Sequence, residues 1–138
     1  MAFTISTVKD TVQNRDVAKP AALLTTIGTL YTNNLTTGLL EVATAALTAN
    51  QITYRANANI AVIEGLTSVN SAVVSSDDEF VVDTVANSAS AENGRRFLVN
   101  ATGDKLTNGV ADNANGVFVQ INTVGAAADK KIIARKVA

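Results

Sequence analysis

The densest group of side chains able to do chemistry is the acidic run Asp77-Asp78-Glu79, with Asp83 following on the same stretch. Hard divalent cations such as calcium take carboxylate and carbonyl oxygens, so a cluster of this kind is the first place to look for a metal. No glycine-containing loop sets these ligands at alternate positions, however, and a solvated acidic turn leading into a strand gives the same letters. The segment Asp112-Asn113-Ala114-Asn115-Gly116 has the polarity of a calcium loop, but alanine stands third and glycine fifth, where side-chain ligands are needed. No metal ligand is assigned.

Covalent catalysis fares no better. The chain has neither histidine nor cysteine, so a serine or threonine nucleophile must find its base in a lysine or a carboxylate. Hydroxyls and lysines are plentiful, yet no Gly-x-Ser-x-Gly elbow or Ser-x-x-Lys placement singles one out. The sequence therefore predicts no enzyme: no catalytic residues, no cofactor-binding residues and no cofactor.

The basic pairs are Arg95-Arg96, Lys130-Lys131 and Arg135-Lys136. On strands the members of a pair point to opposite faces, which suits edge charges that discourage aberrant pairing. A salt bridge between subunits is the alternative, since arginine favours interfaces. Net charge is −1, with both signs dispersed, so there is no sustained positive field and nucleic acid is not an expected partner. No stretch approaches the ~18 consecutive apolar residues of a membrane span, and no basic-then-apolar leader opens the sequence. Synthesis in the cytoplasm as a soluble chain, with no membrane partner, is the expectation. The sequons Asn34-Leu35-Thr36 and Asn100-Ala101-Thr102 are what an Asn- and Thr-rich chain produces by chance.

The elements that must position these groups are mainly β. The 138 residues suit a single domain, 47% apolar but only 4% aromatic, with 17% charged against the roughly 25% usual in soluble domains. Three Asn-Gly pairs, at Asn93-Gly94, Asn108-Gly109 and Asn115-Gly116, predict tight hairpin turns, because both residue types tolerate positive φ. Short β-branched runs recur from 51 onward, at 51–54, 60–64, 72–75, 80–85, 95–100, 117–122 and 131–137. They predict a β core over 50–138. Phe80, Val82, Phe97, Val99, Val117, Val119 and Ile121 are the expected core, with Phe118 on the wet face. Before residue 50 the pattern is mixed. Leu23, Leu24, Ile27, Leu30 and Tyr31 after Pro20 are compatible with a helix or with an irregular or strand conformation. Leu40, Ala43, Thr44 and Leu47 outline a second short helix. Residues 2–8 alternate as a strand or extended arm, and 1–20 is expected to be an arm dispensable for folding of the core.

The stretch Gly94 to Val119 contains a strand leading to Ala101, the turn Thr102-Gly103-Asp104, the step Gly109-Val110-Ala111, and Gly116 opening Val117 to Ile121. It resembles the small decoration, or cement, proteins of tailed-phage heads. That resemblance implies a small antiparallel β-barrel or β-tulip domain with an N-terminal arm, to which the two helical patterns above would add one or two short helices. It also implies a place on the capsid exterior of a virion, the major capsid protein as partner, and a homotrimer as assembly state. An adhesive or fibre module, either a pilus subunit or a tail-associated receptor binder, is the alternative from composition.

Overall fold

The computed structural model describes residues 3–7, 13–61, 64–76 and 78–137. Among these the chain is mainly β, in two five-stranded antiparallel sheets. The N-sheet takes five consecutive strands, β2 (Asn14–Ala18), β3 (Leu30–Asn33), β4 (Leu40–Val42), β5 (Thr53–Ala56) and β6 (Ser68–Val73), in the order β2-β6-β5-β3-β4. The C-sheet takes β7 (Glu79–Asp83), β8 (Arg96–Phe97), β9 (Phe118–Thr123) and β10 (Lys131–Lys136). It is completed by β1 (Phe3–Thr7), giving the order β1-β7-β10-β9-β8. Both sheets are open, with β1 and β8 at the edges of one and β2 and β4 at the edges of the other.

The sheets face each other across a layer that holds all four phenylalanines. Phe3, Phe80, Phe97 and Phe118 are each 0–1% exposed and lie with Val82, Val99, Leu106, Val117 and Ile132, against Leu30, Ala43 and Leu47 of the N-sheet side. Phe3 and Phe118 meet with ring centroids 5.3 Å apart and planes tilted by 50°, within the range of favourable aromatic pairs. Both tyrosines, Tyr31 and Tyr54, sit on the opposite face of the N-sheet with Val17, Leu40, Ala56, Ile60 and Val69. That second face is roofed by the 20–28 segment. Thr25 bridges Ile60 in both directions at 3.0 Å, and the Thr26 N–H donates to the Tyr31 hydroxyl at 2.8 Å. The apolar residues of the 20–31 segment thus serve two layers in irregular chain and in β3, and no helix forms there. Leu40 to Leu47 is likewise a strand followed by a turn. Its Leu40 and Ala43 enter the two different clusters, which helical spacing on one face does not allow. The helical elements among the described residues are short 3₁₀ turns such as Ser90–Glu92 and Ala127–Asp129.

Two further expectations change. The strands begin well before residue 50, and the segment expected as an arm supplies one edge strand to each sheet. β1 pairs with β7 and β2 with β6, while the stretch between them lies outside the described residues. In β9 the facing is reversed: Phe118 and Gln120 point inward, fully buried, while Val119 and Ile121 are half-buried on the outer face. The remaining expected core residues, Phe80, Val82, Phe97, Val99 and Val117, are buried as anticipated. A ring gains more from the inter-sheet layer than a valine does, and Gln120 is anchored there by its Nε2, which donates to the Ala89 carbonyl and to Asn93 Oδ1, both at 2.9 Å, while its Oε1 is buried without a partner among the described residues. Opposite β10 the register jumps from Asn122 to Gln120, leaving Ile121 as the extra residue of a bulge.

None of the three Asn-Gly pairs closes a two-residue hairpin. Asn93 (φ −57°, ψ 132°) and Gly94 (φ 89°) form a type II turn closed by the Arg95 N–H on the Glu92 carbonyl at 3.0 Å. Asn108 and Asn115 lie in the long connection between β8 and β9. That connection also carries Gly103, whose carbonyl accepts the Leu30 N–H at 2.8 Å. A methyl group on Gly103 would lie 2.8 Å from the Ala43 carbonyl oxygen and 2.9 Å from that of Leu30.

Two consequences are measurable. Gly38 and Gly103 share φ +72°, but nothing lies within 4 Å of a carbon added at Gly38. Gly38→Ala should therefore cost about 1 kcal/mol for backbone strain alone, and Gly103→Ala roughly 2–4 kcal/mol for strain plus overlap, as urea midpoints will register. Equal losses would disprove the docking role of Gly103. Phe3→Ala should cost ~3–5 kcal/mol as a core truncation; a near-neutral effect would return residues 1–20 to the status of a dispensable arm.

Candidate interaction surfaces

The side chains with chemical potential do not converge. Asp77 lies outside the described residues. Asp78 is buried, Glu79 sits half-buried at the start of β7, and Asp83 at its end accepts from Lys131 Nζ at 2.6 Å. Among the described residues no three of the acidic, histidine or cysteine side chains come together as a metal site would need.

Asp112, the first residue of the segment with calcium-loop polarity, is committed to arginine. Its Oδ1 accepts from the Arg96 backbone N–H at 2.8 Å and from Nε at 3.1 Å, and its Oδ2 accepts from Nη2 at 2.7 Å. This fork holds β8, a two-residue edge strand, to the 112–116 turn. Hydrogen bonds from the Arg96 side chain and backbone pull the Asp112 carboxyl from 3.8 down to about 2. Arg95 lies 3.6 Å from Glu92 and donates to the Val110 carbonyl at 3.1 Å. Arg95, Arg96 and Lys131 thus make ion pairs within the chain. Arg96 is an edge charge as expected, whereas Lys131, Arg135 and Lys136 belong to β10, which lies inside the C-sheet between β7 and β9. Arg135 is exposed. Lys136 turns inward, donates to the Gln51 carbonyl at 2.9 Å, and has its pKa lowered by burial.

The asparagines of the two sequons prove to be loop braces. Asn100 Oδ1 accepts from the N–H groups of Asp104 and Lys105, both at 3.1 Å, and its Nδ2 donates to Thr102 Oγ1 and Asp104 Oδ1. Burial pushes the Asp104 carboxyl up, but the bonds from Thr102 and Asn100 outweigh it and hold the group low. Asn34 does the same in the β3–β4 connection. Its Oδ1 accepts from the N–H groups of Thr36 and Thr37 at 2.9 and 3.0 Å, its Nδ2 donates to Glu41 Oε2 at 3.0 Å, and its carbonyl accepts from the Gly38 N–H at 2.8 Å. Asn33 Nδ2 donates to the Gly38 carbonyl at 3.2 Å, and Thr37 Oγ1 receives the Leu39 N–H at 3.3 Å.

At the tip of this braced turn stands Leu35, 85% exposed, against 54% for Leu24, the next of the large exposed apolar side chains. The turn thus presents a large apolar side chain on a connection whose N–H groups at Thr36, Thr37 and Gly38 are all bound by Asn34. From the sequence alone this stretch reads only as a chance sequon. The signal available was Asn followed by Leu-Thr-Thr-Gly, an Asx-turn composition with an unneeded leucine at its tip. Elsewhere, an open cleft of about 580 Å³ is lined by Ala45, Leu47, Ala49, Leu98, Ala114 and Val137, and one of about 340 Å³ by Arg96, Val119, Arg135 and Lys136 among others.

In comparisons with known proteins the chain matches no family model, no curated protein and no solved structure.

The Asp112 fork makes a prediction about acid. A carboxyl whose folded pKa lies near 2, below its ordinary 3.8, contributes stability that is present above pH 3.8 and lost as pH falls toward 2. Asp112→Asn should lower the urea midpoint at neutral pH, and the gap to the parent protein should close across that window. A gap that stays constant with pH would show that the fork carries no charge-dependent stability.

Proposed function

We propose that this chain is a structural binding protein of a virion: a head decoration, or cement, protein that sits on the capsid exterior and stabilises the shell by contact rather than catalysis. The observation that carries the reading is the Leu35 turn, an exposed apolar side chain on a connection whose backbone is already ordered. Binding through it loses little conformational freedom, so its burial adds to affinity with little offset. The resemblance of residues 94–119 to decoration proteins supports the choice of partner, the major capsid protein. The mainly β fold in two antiparallel sheets agrees with the mainly β character of that family.

The assembly belongs to the same proposal. Low net charge permits many copies side by side, and a homotrimer presents three Leu35 turns to one shell, so weak contacts multiply through effective concentration. Any ligand that prefers the intact shell stabilises it by mass action. The edge strand β2 offers main-chain donors and acceptors to a neighbouring sheet, a role in place of the free arm.

The test is co-sedimentation with shells assembled from the major capsid protein of the same genome. Burying a leucine is worth about 1.5–3 kcal/mol, so Leu35→Asp should weaken shell binding by roughly tenfold or more while leaving the thermal midpoint within a degree or so. Undiminished binding by Leu35→Asp would remove the turn from the interface. Failure of the parent protein to bind or to protect shells from heat would remove the cementing role altogether.

A further inference from the structure

The three Asn-Gly pairs, which do not serve as hairpin turns, differ sharply in how they are held. Asn-Gly is the dipeptide in which the following backbone nitrogen most readily attacks the asparagine side chain, because glycine offers no side-chain obstruction. The attack requires the side-chain amide to rotate freely and the glycine N–H to be released.

At Asn108 neither condition is met. Its side chain is 4% exposed, Oδ1 accepts from the Ala86 N–H at 2.7 Å, and Nδ2 donates to the carbonyls of Ala86 and Asn87 at 3.1 and 3.2 Å. The Gly109 N–H is held at 2.9 Å by the buried carboxylate of Glu92. Asn93 is exposed, but its Oδ1 is bound by Nε2 of Gln120, and the Gly94 N–H donates at 2.8 Å to the carbonyl of that same fully buried residue. At Asn115 the side chain is exposed and makes no hydrogen bond among the described residues. Only its backbone N–H is engaged, with Asn113 Oδ1 at 2.8 Å, and the Gly116 N–H donates at 2.8 Å to the Asn113 carbonyl inside the same short turn. Opening that turn disturbs far less than releasing Glu92 or Gln120 from the interior.

We propose that Asn115 is a site of spontaneous deamidation selected by the fold, and that the other two Asn-Gly pairs are protected by it. The Gly116 nitrogen, giving up its proton to solvent base, bonds to the side-chain carbonyl carbon of Asn115, and the bond to the amide nitrogen breaks to release ammonia. Water then opens the resulting succinimide at one carbonyl or the other, leaving aspartate or isoaspartate. The two products act differently on the structure. Aspartate keeps the main chain unchanged. Isoaspartate routes it through the side-chain carbon and lengthens it immediately before Gly116, which packs closely on β8: a carbon added at Gly116 would lie 2.6–2.7 Å from atoms of Arg96 and Phe97. The isoaspartyl form should therefore loosen the junction of β8 and β9.

Peptide mapping by mass spectrometry after incubation of the folded protein in mildly alkaline buffer tests this. Conversion at Asn115 should run at least about tenfold faster than at Asn93 or Asn108, and in urea the three rates should converge. Comparable rates in the folded protein, or faster conversion at either of the other sites, would overturn the proposal. Aged protein should melt lower than fresh protein, freshly made Asn115→Asp should melt like the parent, and Asn115→Gln should not decline with age. A decline that persists in Asn115→Gln would sink the claimed effect on the β8–β9 junction.

Discussion

The layer between the two sheets is the constraint on which the rest of the molecule depends, because the chain has only four phenylalanines and no tryptophan with which to fill it. All four are spent there. Since the N-sheet is built from consecutive strands and the C-sheet from the remainder of the chain, the layer holds only if something crosses between the two. Two crossings do so in opposite directions. β1 leaves the N-terminal half to complete the C-sheet and brings Phe3 against Phe118. The loop carrying Gly103 leaves the C-terminal half to dock on Leu30 and Ala43 of the N-sheet. Close packing makes both crossings intolerant: a missing ring leaves a cavity, and an added methyl group at Gly103 has nowhere to go.

A half-buried arginine reinforces the same layer. Arg55 projects from β5 with its guanidinium carbon 5.3 Å from the centre of the Phe80 ring, and donates to the Phe3 carbonyl at 3.1 Å. Burial lowers its pKa, and the charge of Asp78 acts in the opposite direction. The cation is thus held by a ring face, a carbonyl and a nearby carboxylate rather than by a direct salt bridge, an arrangement that keeps it charged between the sheets.

Polar side chains elsewhere are consumed in the same way. Asn34, Asn100 and Asn108 each satisfy backbone groups that a loop would otherwise leave to water, and Gln120 ties the turn before β8 to the interior. Loops braced like this are rigid without helices, disulfides or metal ions. That bracing fixes the loop beneath a surface side chain such as Leu35, since the cost of ordering it has been met in folding.

The β character, the existence of strands near 80, 96, 118 and 132, and most of the core in those runs are written in local sequence, since β-branched and aromatic residues separated by Asn, Gly and Asp have few other ways to bury their apolar faces. The absence of histidine and cysteine is equally local. Three features were not legible. Leu30 and Leu40 fit a helical spacing as well as a strand, and only the pairing of β3 with β5 and the Gly103 loop, and of β4 with β3, makes them strands. Asn-Gly marks a chain reversal but not which strands it joins, so type II and loop turns replaced hairpins. In β9 the alternation of Val119 and Ile121 against Phe118 and Gln120 states which residues share a face. Which of those faces meets the other sheet was decided by Phe3, a partner from the far end of the chain, because a strand's period is the same whichever side is buried.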